Sequence, residues 1–191
     1  MAIRWIASCL PYRPLMTHLL LISGSTRAGS TNTAALRTVA SLVSDDVTAT
    51  LYDGLVALPA FVPGDQEPPV AVAGLRRTVE EADAVLFCTP EYAGSIPGSL
   101  KNLLEWLIGS GELNGKPVAW LSVAAPGRGE GARETLETVL GYVDANLLTS
   151  ACARIPVTRD AVTTDGIIAD PQVTAALRDM LTRFTEAIDG N

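Results

Sequence analysis

Short apolar segments that alternate with longer segments of helical periodicity most restrict how this chain can fold. A strand buried on both faces is a continuous apolar run, and a helix that covers a sheet carries apolar residues about every three to four positions. The alternation therefore predicts a parallel sheet with helices on both faces. The predicted strands are residues 18–23, 47–53, 84–89, 118–123 and 147–155. The predicted helices are residues 33–43, 70–82, 99–108, 132–145 and 171–188.

The order of these elements indicates one topology. Each predicted helix follows a strand, and the rule that such crossovers are right-handed leaves few arrangements. We predict a flavodoxin-like, doubly wound five-stranded sheet of the α/β class, with strand order 2-1-3-4-5. In such a sheet, ligands bind in the crevice at the carboxyl ends of the first and third strands. We expect a single domain over residues 18–191, preceded by an irregular extension over residues 1–17.

Charge and composition exclude several classes of partner. The formal charge of the 191-residue chain is −7, and no segment is rich in lysine or arginine, so neither nucleic acid nor anionic lipid is an expected partner. No apolar run has the length of a membrane span, so we expect no membrane insertion. The three cysteines, Cys9, Cys88 and Cys152, are far apart, and His18 is the only histidine. This composition predicts neither a metal site nor a disulfide framework, and it suits a reducing cytoplasm.

A loop rich in hydroxyl groups joins the first predicted strand to the first predicted helix. It reads GSTRAGSTNT over residues 24–33. Its glycines, its hydroxyl residues and Arg27 surround a helix N-terminus, where unpaired N–H groups and the helix dipole favour a phosphate. The loop has neither Gly-Lys-Ser/Thr nor G-x-G-x-x-G, so ATP and a tightly held dinucleotide are weaker candidates. Ordinary capping by Ser30 or Asn32 is the alternative, but capping alone leaves Arg27 unexplained.

A second loop, after the third predicted strand, suits a flat ligand. It reads PEYAGSIPGSLKN over residues 90–102. An aromatic ring beside glycines can lie against a planar heterocycle, and the rigid turn at Pro97 and Gly98 is suited to opening the next helix. Because both loops follow strands that are neighbours in the predicted sheet, we expect them to meet in one crevice.

The two loops together, continuing to Trp106, resemble the motifs of the NADPH-dependent FMN reductase family. That family includes flavin, quinone, azo-dye and chromate reductases. The resemblance extends over almost the whole chain after Thr17, with two motifs at matching positions of the fold. It implies a flavodoxin-like fold, FMN as the cofactor and NADPH or NADH as the reductant.

The resemblance also implies roles for individual residues. Those at the positions that hold the FMN phosphate are Ser25, Arg27, Ser30, Asn32 and Thr33. Those at the positions that line the isoalloxazine and ribityl are Pro90, Glu91, Tyr92 and Ser95, with Gly94 permitting close approach of the backbone. Alternatively, Tyr92 is a half-buried loop aromatic, and Glu91 is a solvated charge or serves through its backbone. Lys101, Asn102 and Trp106 match the family too, but on a helix they suit packing or subunit contact as well as chemistry.

A third loop follows the fourth predicted strand and reads AAPGRGEG over residues 124–131. The resemblance implies that a glycine-rich loop here completes the flavin pocket, which makes Gly127 a candidate contact. The chain departs from the commonest form of this loop by having Pro126 where a glycine or serine is more usual. A flexible loop before a helix is the equal alternative. Arg128 either meets the 2′-phosphate of NADPH or is solvated.

These features predict an enzyme that oxidises NAD(P)H. Hydride transfer between nicotinamide and flavin is the chemistry of the cofactors, so no catalytic side chain is expected. The resemblance implies a small-molecule acceptor such as a flavin, a quinone, an azo compound or a metal oxyanion. A Ser-His-Asp hydrolase is disfavoured, since G-x-S-x-G is missing and His18 begins a strand.

Two alternatives for this function stay open. One is a non-enzymatic electron carrier like flavodoxin, which the acidic charge favours and which would not oxidise NAD(P)H directly. The other is a reductase that holds its flavin tightly and passes electrons to an acceptor other than free FMN. Family members are commonly dimers or tetramers, so a homodimer or homotetramer is expected. The stripe Leu100, Leu103, Leu104 and Leu107 is compatible with that, although covering the sheet requires the same stripe.

Overall fold

The fold is described from a computed structural model, which covers residues 16–64 and 67–190. Residues 1–15 of the predicted N-terminal extension lie outside the described residues, and Thr17 already belongs to the first strand. The single-domain assignment therefore stays a prediction. Within the described ranges, no helix is long and apolar enough to cross a membrane.

The strands form one parallel sheet in the order β2-β1-β3-β4-β5, with β6 also pairing with β4. This confirms the predicted fold class and strand order. The order places β1 and β3 side by side at the centre, with Ser23 opposite Cys88 where both strands end. The strands are β1 (Thr17–Ser23), β2 (Val47–Leu51), β3 (Ala84–Cys88), β4 (Pro117–Ser122), β5 (Asn146–Leu147) and β6 (Ala153–Arg154).

Helices cover both faces of the sheet. They are α1 (Thr31–Leu42), α2 (Val70–Glu80), α3 (Gly98–Ile108), α4 (Glu130–Tyr142) and α5 (Pro171–Asp189). Side chains alternate along β1, so that Leu19 and Leu21 pack with α1 and α5, while Leu20 packs with α2, α3 and α4 on the other face. Each fully buried leucine contributes about 1.5–3 kcal/mol of transfer free energy. Two apolar layers therefore hold the central strands and fix where their carboxyl ends meet.

The fifth predicted strand, residues 147–155, is wrong as a continuous element. The structure has two short strands there, β5 and β6, separated by a 3₁₀ turn at Thr149–Ala151. This segment is the sheet edge and needs only β4 as a partner, so a local turn can replace part of the ladder. Ala151 N–H donates to Leu148 C=O at 2.9 Å, and the turn buries Ala151 completely. The apolar pattern shows this burial but not the turn that achieves it.

Smaller differences concern element ends. The predicted strand over 47–53 ends at Leu51, and α1 begins at Thr31 because the buried Ser30 caps it. The hydroxyl of Ser30 accepts from the N–H of Asn32 at 3.2 Å. The helix α4 begins at Glu130, which places Gly131 inside its first turn. These shifts bring both helix N-termini closer to the crevice than predicted.

Candidate functional site

The carboxyl ends of β1, β3 and β4 surround a crevice with two adjoining hollows. We call them the Ser25 hollow, of about 390 Å³, and the Thr89 hollow, of about 230 Å³. Both are lined by Thr31, Asn32, Pro90 and the segment 123–125. A further hollow of about 410 Å³, beside Glu80 and Lys116, lies at the amino ends of the strands. Of these three hollows, the two that form the crevice lie at the topological position where ligands bind in this fold.

The first loop supplies polar groups to the Ser25 hollow. Ser25, Arg27, Ser30 and Asn32 all line it, and it opens at the N-terminus of α1. Ser30 both caps the helix and faces this hollow, so the capping and phosphate hypotheses are compatible. Thr33 is the exception, since its hydroxyl lies 2.8 Å from that of Ser23 and does not line either hollow. Its place is beneath the loop, at the end of β1.

A buried thiol orients Asn32. Asn32 is only 6% exposed, and Cys88 Sγ donates to Asn32 Oδ1 at 3.4 Å. Burial raises the pKa of the Cys88 thiol, so the proton needed for this hydrogen bond stays in place. The amide Nδ2 then lies 3.5 Å from Ser30 Oγ. A residue outside both motifs thus fixes which way the amide of Asn32 points.

The second loop forms a tight turn. Tyr92 and Ser95 exchange two backbone hydrogen bonds, of 2.9 and 3.1 Å. The central residues, Ala93 and Gly94, have φ values of 51° and 73°, the left-handed pair typical of a type I′ turn. An alanine in this conformation is strained, so its surroundings must hold it there. Tyr92 is 52% exposed and lines the Ser25 hollow.

The N-terminus of α4 holds this turn. The carboxylate of Glu91 accepts from the N–H of Ala132 at 3.2 Å, so the second loop caps α4. Ser95 Oγ donates to Thr135 Oγ1 at 3.2 Å. Gly131 lies so close that a Cβ there would be 2.2 Å from Gly94 O. The side chains of Glu91 and Ser95 therefore bind α4, and Glu91 also lines the Thr89 hollow.

The third loop enters the crevice through its second half. Gly127 and Gly129 have φ values of 76° and 85°, which favour glycine. Arg128 and Gly129 line the Thr89 hollow, whereas Gly127 lines neither hollow. The N–H of Arg128 donates to Ala125 C=O at 3.0 Å and closes the turn. The structure thus places Arg128 nearer the crevice than the predicted contact Gly127.

The helix residues of the second motif anchor another loop. Asn102 accepts from Phe61 N–H at 2.7 Å and donates to Pro59 C=O at 2.9 Å. Trp106 Nε1–H donates to the same carbonyl at 2.9 Å, and its ring packs edge-on against Phe61 at 5.0 Å between centroids. Lys101 instead pairs with Glu105 along α3. Of the roles left open from sequence, packing is the one that the structure gives Asn102 and Trp106.

One charged residue of the crevice was missed from the sequence. Arg159 lines the Ser25 hollow together with Val157, and both follow β6. No motif marks this segment. Its position after an edge strand is the signal that would have found it, because residues that follow the carboxyl end of a strand lie at the crevice side of the sheet.

Comparison with known proteins agrees with this geometry. The profile of the NADPH-dependent FMN reductase family matches residues 17–156, most of the chain. The chain belongs to this family. An NAD(P)H-dependent FMN reductase of Pseudomonas aeruginosa is 33% identical over 169 residues, which cover 85% of this chain and 90% of the relative. An NADPH azoreductase of a Bacillus species is 37% identical over 134 residues, covering 68% and 72%.

A solved structure supports the same assignment. The flavoenzyme NAD(P)H:(acceptor) oxidoreductase of Paracoccus denitrificans superposes with a TM-score of 0.78 at 26% identity, covering 91% of this chain and 98% of that one. The chain is thus an oxidoreductase of the FMN reductase family, with FMN and NAD(P)H as its cofactors. The donors in the Ser25 hollow fit FMN: hydroxyl, amide and guanidinium groups around a helix N-terminus match a phosphate dianion.

Proposed function

We propose that this chain oxidises NAD(P)H with FMN bound in the crevice and passes the electrons to a small-molecule acceptor. A flavin, a quinone, an azo compound and a metal oxyanion are the acceptor classes that family resemblance suggests, and the Bacillus azoreductase supports the azo class. The observation that carries the proposal is the Ser25 hollow, whose donors gather at the N-terminus of α1 in a member of this family. The chemistry that FMN supplies when bound is acceptance of hydride and its release to an acceptor.

The first loop would hold the phosphate end of FMN. We propose Ser25, Arg27, Ser30 and Asn32 as its ligands, because they line one hollow and a guanidinium is a strong phosphate donor. Thr33 would act from beneath, since its hydroxyl contacts Ser23. The buried Ser30 and Asn32 hold their donors in place before the ligand arrives, which lowers the entropy lost on binding.

The second and third loops would hold the ring end. We propose that Pro90, Tyr92 and Gly94 contact the flavin directly, with the tyrosine ring and the backbone of the turn beside it. Glu91 and Ser95 would serve the same ring by fixing the turn on α4. Gly127 would act through the shape of its loop. No side chain is needed as an acid or base, so the task of the protein is to orient the rings and exclude water.

An anaerobic titration tests this function. We expect added FMN to bind with a perturbed visible spectrum and NADPH to bleach that spectrum rapidly in the same cuvette. Binding without bleaching would instead support a non-enzymatic carrier, the alternative that the acidic charge favours. Failure of FMN to bind would contradict the phosphate role of Ser25 and Arg27. A quinone and an azo dye added after bleaching then report the acceptor by the rate at which the flavin colour returns.

We further propose that copies of the chain assemble into a homodimer or homotetramer. Resemblance to the family supports this. Light scattering on the purified protein should give two or four times the mass of one chain. A monomer mass across the working concentration range would contradict the proposal.

A reducing cytoplasm is the compartment we propose. Cys88 and Cys152 are both free thiols. Burial raises the pKa of Cys152 to about 11 and also raises that of Cys88, so neither is a reactive thiolate at neutral pH. Cell fractionation should recover the protein with cytosolic markers, and recovery in a secreted fraction would contradict the assignment.

A further inference from the structure

We propose that Arg159 is a second phosphate-binding arginine, which lines the Ser25 hollow together with Arg27 and gives the site its preference for FMN over unphosphorylated riboflavin. This inference rests on the proposed function. Arg159 lies beyond the region that the family profile matches, which ends at residue 156. It belongs to neither motif that carries the family resemblance.

The backbone around Arg159 is tied to the sheet. Past β6, the N–H of Ile155 donates to Ser122 C=O at 2.8 Å and that of Val157 donates to Val123 C=O at 3.1 Å. The chain therefore continues alongside β4 to its carboxyl end. Arg159 then begins a 3₁₀ turn, Arg159–Ala161, next to the crevice. Its position is set by a strand-like ladder and not by a free loop.

The far side of the same segment is tied to α1. Val162 and Ile168 pair as an isolated bridge, and the N–H of Ile168 donates to Thr38 Oγ1 at 2.9 Å. Thr38 is only 3% exposed and its own hydroxyl donates to Ala34 C=O at 2.8 Å, so this anchor lies inside the core. The helix that presents its N-terminus to the Ser25 hollow thus also holds the segment that carries Arg159.

Charge supports an anion between the two arginines. Ion pairs among the described residues use Lys101, Arg76, Arg133 and Arg154, but neither Arg27 nor Arg159. Among the described residues, Asp160, the nearest carboxylate in sequence, forms no ion pair with Arg159. Two arginines that line one hollow give it a positive potential, and a phosphate dianion can accept hydrogen bonds from both.

The position of Arg159 selects the FMN phosphate over the phosphates of NADPH. Arg159 lines the hollow that contains Ser25, Arg27 and Ser30, at the N-terminus of α1. Arg128 lines only the Thr89 hollow. If an arginine of the crevice meets the 2′-phosphate of NADPH, Arg128 is the better placed of the two.

Flavin titrations of Arg159→Ala, Arg159→Lys and Arg77→Ala test the proposal. Arg77 is an exposed arginine on α2, so Arg77→Ala removes the same charge as Arg159→Ala at a place away from the crevice. We expect Arg159→Ala to raise the Kd for FMN about tenfold or more while the Kd for riboflavin is unchanged, as for loss of a charge-assisted hydrogen bond. The Kd of Arg159→Lys for FMN should lie between those of the unmodified protein and Arg159→Ala, since lysine keeps the charge but not the planar guanidinium. Arg77→Ala should bind FMN like the unmodified protein.

Several results would overturn the proposal. They are an unchanged Kd for FMN, an equal loss of FMN and riboflavin, and a change confined to the KM for NADPH. If riboflavin binds too weakly to measure, the salt dependence of FMN binding decides, because Arg159→Ala should flatten it. Failure of the unmodified protein to bind FMN would refute the proposed function and this inference with it. If the unmodified protein binds FMN and Arg159→Ala binds it equally tightly, this inference is refuted and the proposed function is not.

Discussion

Gly131→Ala should weaken FMN binding about tenfold or more while leaving the fold intact. A Cβ at this position would lie 2.2 Å from the carbonyl oxygen of Gly94 and 2.8 Å from its carbon, inside any allowed contact. Because the obstacle is backbone, no side-chain rotation relieves it, and the turn at Tyr92–Ser95 has to move away from α4. That displacement also lengthens the hydrogen bond between Glu91 and Ala132 N–H, now 3.2 Å. Flavin fluorescence titration measures the loss.

Gly141→Ala provides the matched control for this prediction. Gly141 lies on the same helix, and a Cβ there would meet nothing within 4 Å. Alanine in place of glycine in a helix usually adds about 0.5–1 kcal/mol to the free energy of unfolding. We therefore expect unchanged FMN binding and equal or greater resistance to urea. If Gly131→Ala binds FMN as tightly as Gly141→Ala, FMN binding does not depend on the packing of the Tyr92–Ser95 turn against α4.

The sheet could be predicted because its signal is repeated along the chain. Runs such as LLLI in β1 and AVLFC in β3 are buried on both faces, and burial on both faces is what a continuous apolar run indicates. The edge segment 147–155 was the failure, since one neighbour does not require a continuous ladder. Helix ends were missed by one to three residues because the periodicity of apolar residues does not show capping residues such as Ser30.

The site could be predicted at the level of loops but not of contacts. The first motif singled out Ser25, Arg27, Ser30 and Asn32, which do line the Ser25 hollow, because hydroxyl and glycine residues at a helix N-terminus have one shared chemistry. Their role as phosphate ligands stays a prediction. Whether a side chain faces the ligand or a neighbouring helix depends on tertiary packing. Glu91 and Ser95 reach α4 only because the 92–95 turn packs against Gly131, about forty residues along the chain. Sequence spacing carries no information on such a contact, nor on the arrival of Arg159 from the sheet edge.

Gly24→Ala should damage stability and binding together. Gly24 is buried at the end of β1, and its N–H donates to Cys88 C=O at 2.9 Å, which ties the first loop to β3. A Cβ at Gly24 would lie 2.2 Å from Thr89 Oγ1, 2.7 Å from Thr89 Cβ and 2.9 Å from Leu100 Cδ2. The leucine methyl can rotate away, but Thr89 Cβ is fixed by its backbone, so β1 and β3 must separate where the crevice begins. Overpacking of this kind costs about 1–3 kcal/mol, and the same shift moves Ser25 and Arg27 away from the phosphate.

Paired measurements distinguish this effect from that of Gly131. Urea unfolding of Gly24→Ala should show a lower free energy of unfolding, and FMN titration should show a raised Kd, whereas Gly131→Ala should change mainly the Kd. Gly74→Ala is the control, because Gly74 lies on α2 and a Cβ there would meet nothing within 4 Å. An unaltered free energy of unfolding for Gly24→Ala would mean that the ends of β1 and β3 can separate without loss of stability. In that case, the close approach at Gly24 does not hold the first loop in place, and the binding loss must be traced to Ser25 and Arg27 themselves.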